Sequence, residues 1–234
     1  MFFACDCILC AATDSKQPIC PKCANTLPVL EASCRICALP LRDHPVCGQC
    51  LAHRPHFDGT FAAWVYAYPV DRLVQSFKFQ HRLDLAPLFA SALLQKIQAA
   101  QLPVSSFVIV PMPLHRSRLL ERGFNQALEI ARQVASITHG TLLPFAVEKH
   151  RETRLQSEMP LKERKGNVRG AYRCIEPFTS KRVLVIDDVM TTGASLNELA
   201  RTLKQAGATE VVNLVVARTL RLDGLSKGYR WQET

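Results

Sequence analysis

Beyond residue 57 the hydrophobic positions fall into two alternating kinds of run. Short stretches are apolar almost throughout: "TFAAWVYAY" (60–68), "FVIVPMP" (107–113), "RVLVID" (182–187) and "EVVNLVVA" (210–217), with "LLPF" (142–145) as a shorter candidate. Between them lie segments whose apolar residues recur every three or four positions: "VDRLVQSFKFQ" (70–80), "DLAPLFASALLQKIQAA" (84–100), "GFNQALEIARQVASITHG" (123–140) and "SLNELARTLKQAG" (195–207). The first kind predicts strands and the second amphipathic helices, two of them stopped by glycine. Strands that are apolar throughout, rather than at alternate positions, are buried on both faces. Separated by helices, they predict an α/β domain with a parallel sheet.

Residues 1–56 follow neither pattern and are organised by cysteine. Nine of the ten cysteines fall in the first 50 residues, and eight form C-x-x-C pairs: Cys7/Cys10, Cys20/Cys23, Cys34/Cys37 and Cys47/Cys50. "CILCAATDSKQPICPKC" (7–23) aligns without gaps to "CRICALPLRDHPVCGQC" (34–50), matching Ala11 with Ala38 and Pro18 with Pro45, a repeat of 27 residues. Each unit supplies four thiolates, the number taken by tetrahedral Zn²⁺ in a closed structural site. Disulfides are the competing reading, but nothing in the sequence marks the chain as secreted. A segment this short needs a metal to fold, and zinc supplies about 10 kcal/mol or more. Two structural zinc ions are therefore expected. Sequential sites (Cys7, Cys10, Cys20, Cys23 and Cys34, Cys37, Cys47, Cys50) are favoured over interleaved ones because the repeat is the unit. Cys5 is a stand-in for Cys7, and Cys174 reads as a core residue. Four thiolates leave no open position, so the metal is not catalytic. The expected division is a double ribbon over 1–56 and an α/β domain over 57–234, with the ribbon separable from the rest.

Charge sharpens this division. Residues 1–60 carry five Lys/Arg against five Asp/Glu, and residues 61–234 carry 24 against 15, so the net +9 belongs to the α/β part. Such a surface favours anionic partners: phosphates, nucleotides or nucleic acid. No apolar run reaches the roughly 18 residues needed to span a bilayer, and the N-terminus lacks a signal-peptide pattern. A cytoplasmic protein is expected.

The candidate chemistry sits in "RVLVIDDVMTTGASL" (182–196). Two carboxylates, Asp187 and Asp188, follow a buried strand, where a parallel sheet places its ligands. The following loop enters a helix whose N-terminal N–H groups and dipole attract phosphate. Gly193 permits close backbone approach, and Thr191, Thr192 and Ser195 add hydroxyls. A carboxylate pair beside a phosphate cradle suits a sugar phosphate and, indirectly, Mg²⁺. The Walker and dinucleotide patterns are both absent.

"VLVIDDVMTTGAS" (183–195) resembles the thirteen-residue signature by which type I phosphoribosyltransferases bind phosphoribosyl pyrophosphate (PRPP). A cysteine-rich ribbon, then "VPMPLHRSRLLERGFNQA" (110–127), "RETRLQSEMPLKERKGNVRGAY" (151–172) and this loop are together similar to the ComF competence-protein family and its GntX-like relatives, over essentially the whole chain. The resemblance implies a type I phosphoribosyltransferase fold after the zinc ribbon. Asp187 and Asp188 would contact the ribose hydroxyls as the catalytic pair, with Mg²⁺ nearby, and Thr191, Thr192, Gly193, Ala194 and Ser195 would hold the 5′-phosphate. Leu114, His115 and Arg116 would lie near the diphosphate. Arg122, Gly123, Phe124 and Asn125 form the family's RGFN element, placing Arg122, Gly123 and Asn125 among the PRPP-binding residues. Residues 149–173, with eight Lys/Arg against three acids, correspond to the loop that closes over substrate, and Arg154 and Arg169 are candidates within it.

The family implies a role in natural competence, with single-stranded DNA and competence-machinery proteins as partners. A basic groove with stacking aromatics is the usual design for single strands, and Phe77, Phe79 and Phe124 lie beside basic residues. Three readings stand: an enzyme transferring a phosphoribosyl group in competence, a non-catalytic PRPP-fold adaptor or DNA-binding protein, and a salvage phosphoribosyltransferase with no DNA role. The acceptor is not readable, because residues 61–100 carry no motif.

Overall fold

The computed structural model describes residues 6–13, 15, 17–41, 43–152 and 168–220. The strands in chain order are β1 (Gly59–Val65), β2 (Phe107–Pro111), β3 (Thr141–Leu142), β4 (Val147–Lys149), β5 (Tyr172–Cys174), β6 (Arg182–Met190) and β7 (Glu210–Arg218). The helices are α1 (Pro21–Ala24), α2 (Gly48–Ala52), α3 (Val70–Phe79), α4 (Ala86–Ala99), α5 (Arg116–Arg122), α6 (Gln126–Thr138) and α7 (Ala194–Gln205).

Among the described residues, five strands form one parallel sheet in the order β1-β7-β6-β2-β3. From β2 the chain steps outward to β3, then returns to the other side of β2 as β6. That reversal makes the carboxyl ends of β2 and β6 the crevice where such a sheet binds ligands.

Period-two alternation sends successive residues of each strand to opposite faces. On β6, Leu184 and Ile186 join one core with α3, α4 and α6, built around Phe77, Phe89 and Ile130. Val183 and Val185 join the other, with α7, Tyr172 and Phe178. In the first core Phe89 makes edge contacts with Trp64 (6.1 Å between centroids) and Phe77 (5.3 Å).

Three sequence expectations are modified. The run 182–187 was expected to end at the carboxylates, but β6 continues to Met190 because β7 pairs with it as far as Met190–Arg218. The helical pattern 123–140 is interrupted: Gly123 closes α5 at φ +81°, and Asn125 caps a new helix by accepting from Ala127 N–H at 3.0 Å. The antiparallel pair β4–β5 had no sequence signal, since three-residue strands are too short to show a period.

The two cysteine units do not stand apart from the sheet. Cys7, Ile19 and Leu27 are buried in the α4–α6 core. Leu30, Cys34, Ile36, Cys47 and Cys50 are buried in the α7 core. They grip the edge strand from both faces: Leu30 N–H donates to Ala63 C=O at 3.2 Å, Val65 N–H to Pro28 C=O at 2.9 Å and Thr60 N–H to Arg35 C=O at 3.2 Å. Lys96 on α4 also donates to Leu30 C=O. Each cysteine unit thus shares a core with the sheet face it covers. Deleting residues 1–56 uncovers Trp64 and Val65, so chemical denaturation of the 57–234 fragment is expected to show a loss on the order of 3–6 kcal/mol against the full chain. Equal stability would show that this packing contributes nothing.

Candidate functional site

The extension of β6 through Met190 determines what the two aspartates do. Adjacent residues of a strand face opposite ways, so Asp187 follows Val183 and Val185 while Asp188 follows Leu184 and Ile186. Asp188 is buried and pairs with Lys78 of α3, Oδ2 to Nζ 2.8 Å. Asp187 lines a pocket on the other face with Thr191, Gly193, Ala194, Ser195 and Leu196. Its surroundings raise its carboxyl pKa to about 7. Burial is the main cause, the charge of Asp188 adds to it, and Lys78, the Asp188 N–H and Lys149 oppose it.

The pocket floor is the turn from β6 into α7. Gly193 occupies the N-cap position at φ +78°, and a Cβ there would come within 2.5 Å of the Met190 Cε. Thr192 Oγ1 accepts from Ala194 N–H at 3.3 Å, so that hydroxyl shapes the turn. Ser195 bonds the phenolic group of Tyr172, whose pKa burial pushes well above the ordinary value. Thr191, Thr192, Gly193, Ala194 and Ser195 are thus brought together with Asp187, while Asp188 is directed to α3.

The segment after β2 lies beside this turn, because Met112 N–H extends the β2–β6 ladder to Ile186 C=O (2.8 Å). His115 caps α5, its Nδ1 lying 2.8 Å from Ser117 Oγ, which in turn donates to Glu152 at 2.7 Å. Asn125 caps α6 and donates through Nδ2 to Met112 C=O at 3.1 Å, fixing the strand end. Leu114 is half-buried and Arg116 exposed. Arg122 lies over the Phe79 ring at 5.3 Å, and its C=O contacts the His81 ring nitrogen at 3.2 Å, bringing α5 against the end of α3. Gly123 supplies the turn between α5 and α6. Among the three aromatics singled out from sequence, Phe77 is core, Phe124 packs edge-on against it at 5.9 Å, and Phe79 faces solvent at 67% exposure.

Several residues at the site carried no motif. Lys78 was one basic residue of an unmarked helix. Lys149 on β4 interacts electrostatically with Asp187 and stacks near Tyr172 at 5.9 Å. Burial lowers its pKa. Glu198 accepts from Gly170 N–H at 2.6 Å and pairs with Arg201, which ties the end of the basic segment to α7. Arg169 is exposed near Glu198. Arg154, Arg164, Lys165 and most of the basic segment lie outside the described residues, as does Cys5.

The cysteines assemble sequentially into two groups, Cys7, Cys10, Cys20, Cys23 and Cys34, Cys37, Cys47, Cys50, each with its sulfurs within 4.8 Å of one another. The 27-residue repeat persists in three dimensions. Ala11 and Ala38 both take positive φ (55° and 52°). Cys20 N–H donates to Cys7 Sγ and Cys47 N–H to Cys34 Sγ, both at 3.3 Å. Burial raises the Cys7 and Cys34 pKa values, but backbone N–H bonds outweigh it and bring them down to about 6 and about 7. Zinc–sulfur bonds of about 2.3 Å place tetrahedral sulfurs roughly 3.8 Å apart. The Cys10–Cys20 and Cys37–Cys47 separations are 3.7 and 3.6 Å, so both groups fit the ion. Cys174 is half-buried with its Sγ 3.8 Å from Thr202 C=O, and burial raises its pKa to about 11.

Residues 1–51 match the double zinc ribbon domain family and residues 119–232 the phosphoribosyl transferase domain family. With the parallel sheet and the two Cys₄ groups, they define the class: a type I phosphoribosyltransferase fold carrying a cysteine-rich zinc-ribbon region. The chain is 31% identical over 209 residues to DNA utilization protein YhgH of Escherichia coli (strain K12), covering 86% of this chain and 91% of that protein. It is 31% identical over 171 residues to Competence protein F of Haemophilus influenzae, covering 70% and 74%. It is 28% identical over 223 residues to Competence protein ComFC of Streptococcus pneumoniae, covering 91% and 89%. The chain belongs to the ComF family of competence proteins.

Two outcomes are expected. Metal analysis of the purified chain returns two zinc ions per molecule, and one or none contradicts the paired sites. The aspartates also separate on mutation. The two carboxylates repel each other as like charges, but Asp188 has a cationic partner at ion-pair distance, Lys78 at 2.8 Å. Asp188→Asn is expected to cost about 1–3 kcal/mol in denaturant unfolding. Asp187→Asn is expected to stabilise. Its folded pKa is raised, so the native state holds more protons than the unfolded state between about pH 4 and 7, and wild-type stability falls across that window. The mutant's advantage therefore grows from near zero at pH 4 to a plateau above pH 7.5, on the order of 2–4 kcal/mol. A pH-independent difference contradicts the raised carboxyl pKa of Asp187.

Proposed function

We propose that the protein binds PRPP with Mg²⁺ at the β6–α7 turn and acts in the uptake or use of single-stranded DNA. The observation that carries the first part is the convergence of Asp187 with a glycine-capped helix N-terminus in one pocket at the sheet's reversal point. In this reading the N–H groups of residues 192–195 and the Ser195 hydroxyl hold the 5′-phosphate. Asp187 takes the ribose hydroxyls and the water shell of Mg²⁺, and Asp188 supports the same edge through Lys78. Leu114, His115 and Arg116 stand where the diphosphate would lie, with Arg122, Gly123 and Asn125 shaping the wall behind it. Mg²⁺ would offset charge on the diphosphate.

The reaction open to such a site is substitution at ribose C1: a bond forms from an acceptor to C1 as the C1–oxygen bond breaks and diphosphate leaves. The protein's part is positioning and charge neutralisation, with no covalent nucleophile. The DNA role is supported by the names of the relatives and by the net +9 of the α/β part. Solvent-facing Phe79 with Arg122 over its ring offers a stacking surface for single strands. Competence-machinery proteins are the matching macromolecular partners. No helix among the described residues is long and apolar enough to cross a membrane.

PRPP with Mg²⁺ is expected to raise the melting temperature of the zinc-loaded chain by preferential binding to the native state, and Asp187→Asn is expected to abolish the shift. Binding needs the carboxylate. With a pKa of about 7, affinity measured by calorimetry rises about tenfold from pH 6 to pH 8. A full response in the mutant overturns the assignment. Diphosphate release in the presence of candidate acceptors separates an enzyme from a binding protein.

A further inference from the structure

Arg218, the last residue of β7, is 3% exposed. The register of β6 with β7 sets it beside Met190, at the entrance to the anion loop. Its Nη1 donates to Met190 C=O at 3.0 Å, to Thr191 C=O and to Thr219 C=O at 2.9 Å. On its other edge, Nε donates to the C=O of Cys37 at 2.9 Å. Cys37 belongs to the second tetrathiolate group. One rigid, planar cation therefore spans two elements that lie far apart in sequence.

Both ends of this bridge matter. A trans peptide is planar and points its C=O and N–H in opposite directions. Holding the carbonyls of Met190 and Thr191 against the guanidinium turns the N–H groups of Thr191 and Thr192 away from it, the orientation an anion in the loop requires. At the other end, the Cys37 carbonyl is part of the knuckle closed by Ala38 N–H to Cys34 C=O (2.8 Å). Four thiolates on one ion fix that knuckle, and without the ion its carbonyl is free to turn. The second group shares its core with Met190 and Leu196, which flank the loop. The first group packs with α3 and α4 on the opposite face.

We propose that Arg218 is a positioning residue that ties the anion loop to the second cysteine site, so that metal at Cys34, Cys37, Cys47 and Cys50 strengthens phosphate binding at residues 191–195 and metal at the first site does not. The ligand in this statement rests on the PRPP reading, whereas the tie itself does not. Coupling of this kind is reciprocal: phosphate in the loop also retards loss of metal from the second site.

Hydrogen exchange of the zinc-loaded full chain tests the tie without any ligand, with β6 amides 183–186 as the internal reference. Cys47→Ser is expected to speed exchange at 190–195 about tenfold relative to that reference. Cys10→Ser speeds it in its own knuckle and not at 190–195. Arg218→Lys keeps the charge but cannot span both sets of carbonyls. It speeds exchange at 190–195 and at 34–38 together, and adding Cys47→Ser to it changes 190–195 no further. Equal effects of the two cysteine variants, or simple addition of Cys47→Ser and Arg218→Lys, overturns the proposal. Should Cys47→Ser fail to fold, Arg218→Lys decides alone: unchanged exchange at either end overturns the tie. Calorimetry with PRPP and Mg²⁺ is expected to show about tenfold weaker binding in Arg218→Lys. A wild-type chain that binds no PRPP removes the proposed function and leaves the exchange result to judge the tie.

Discussion

The molecule depends on the burial of β6, paired on both edges and covered on both faces. Its neighbours hold it in register from Arg182 to Met190: β2 pairs as far as Ile186 and β7 to the end. Four apolar residues in a row give the strand no solvent side, so its final residues emerge in fixed positions where the sheet order reverses. Desolvation there raises the Asp187 carboxyl pKa, and the strand's alternation sets Asp188 against Lys78. Burial of the strand also places the turn to α7 beside the end of β2.

The sheet's two faces organise the rest. One core takes α3, α4 and α6 with the first cysteine group, and the other takes α7 and the β4–β5 pair with the second. Two copies of a 27-residue unit thus clasp one edge strand from opposite sides. Because β1 has a neighbour on only one side within the sheet, this clasp supplies partners such as Pro28 C=O and Arg35 C=O for its backbone. A metal site placed this way stabilises the edge of the α/β domain as well as itself.

The same arrangement explains why the RGFN element has a mixed character. Asn125 spends its side chain on the α6 cap and on Met112, and Gly123 on a left-handed turn. Arg122 and Phe124 reach the end of α3, the one over Phe79 and the other against Phe77 and His81. The element's first contribution is to hold the strand end and α5 in place beside the pocket.

The α/β class, the parallel sheet, the cysteine repeat and the loop at 187–195 were legible in the sequence because each rests on local spacing. Continuous apolar runs, a 27-residue internal match and a carboxylate-to-glycine turn need no distant partner to be recognised. The opposite directions of Asp187 and Asp188 were not legible, since they depend on how far β7 prolongs β6. Nor were Lys78, Lys149, Tyr172 and Arg218, single residues whose roles come from elements far away in the chain. The ribbon looked separable because its composition changes abruptly at the boundary, yet composition says nothing of which face of which strand a knuckle covers. Local spacing determined what the elements are and where the candidate loop lies. Long-range packing decided which side chains meet there, because burial and partner are properties of the folded surface and not of the neighbours in sequence.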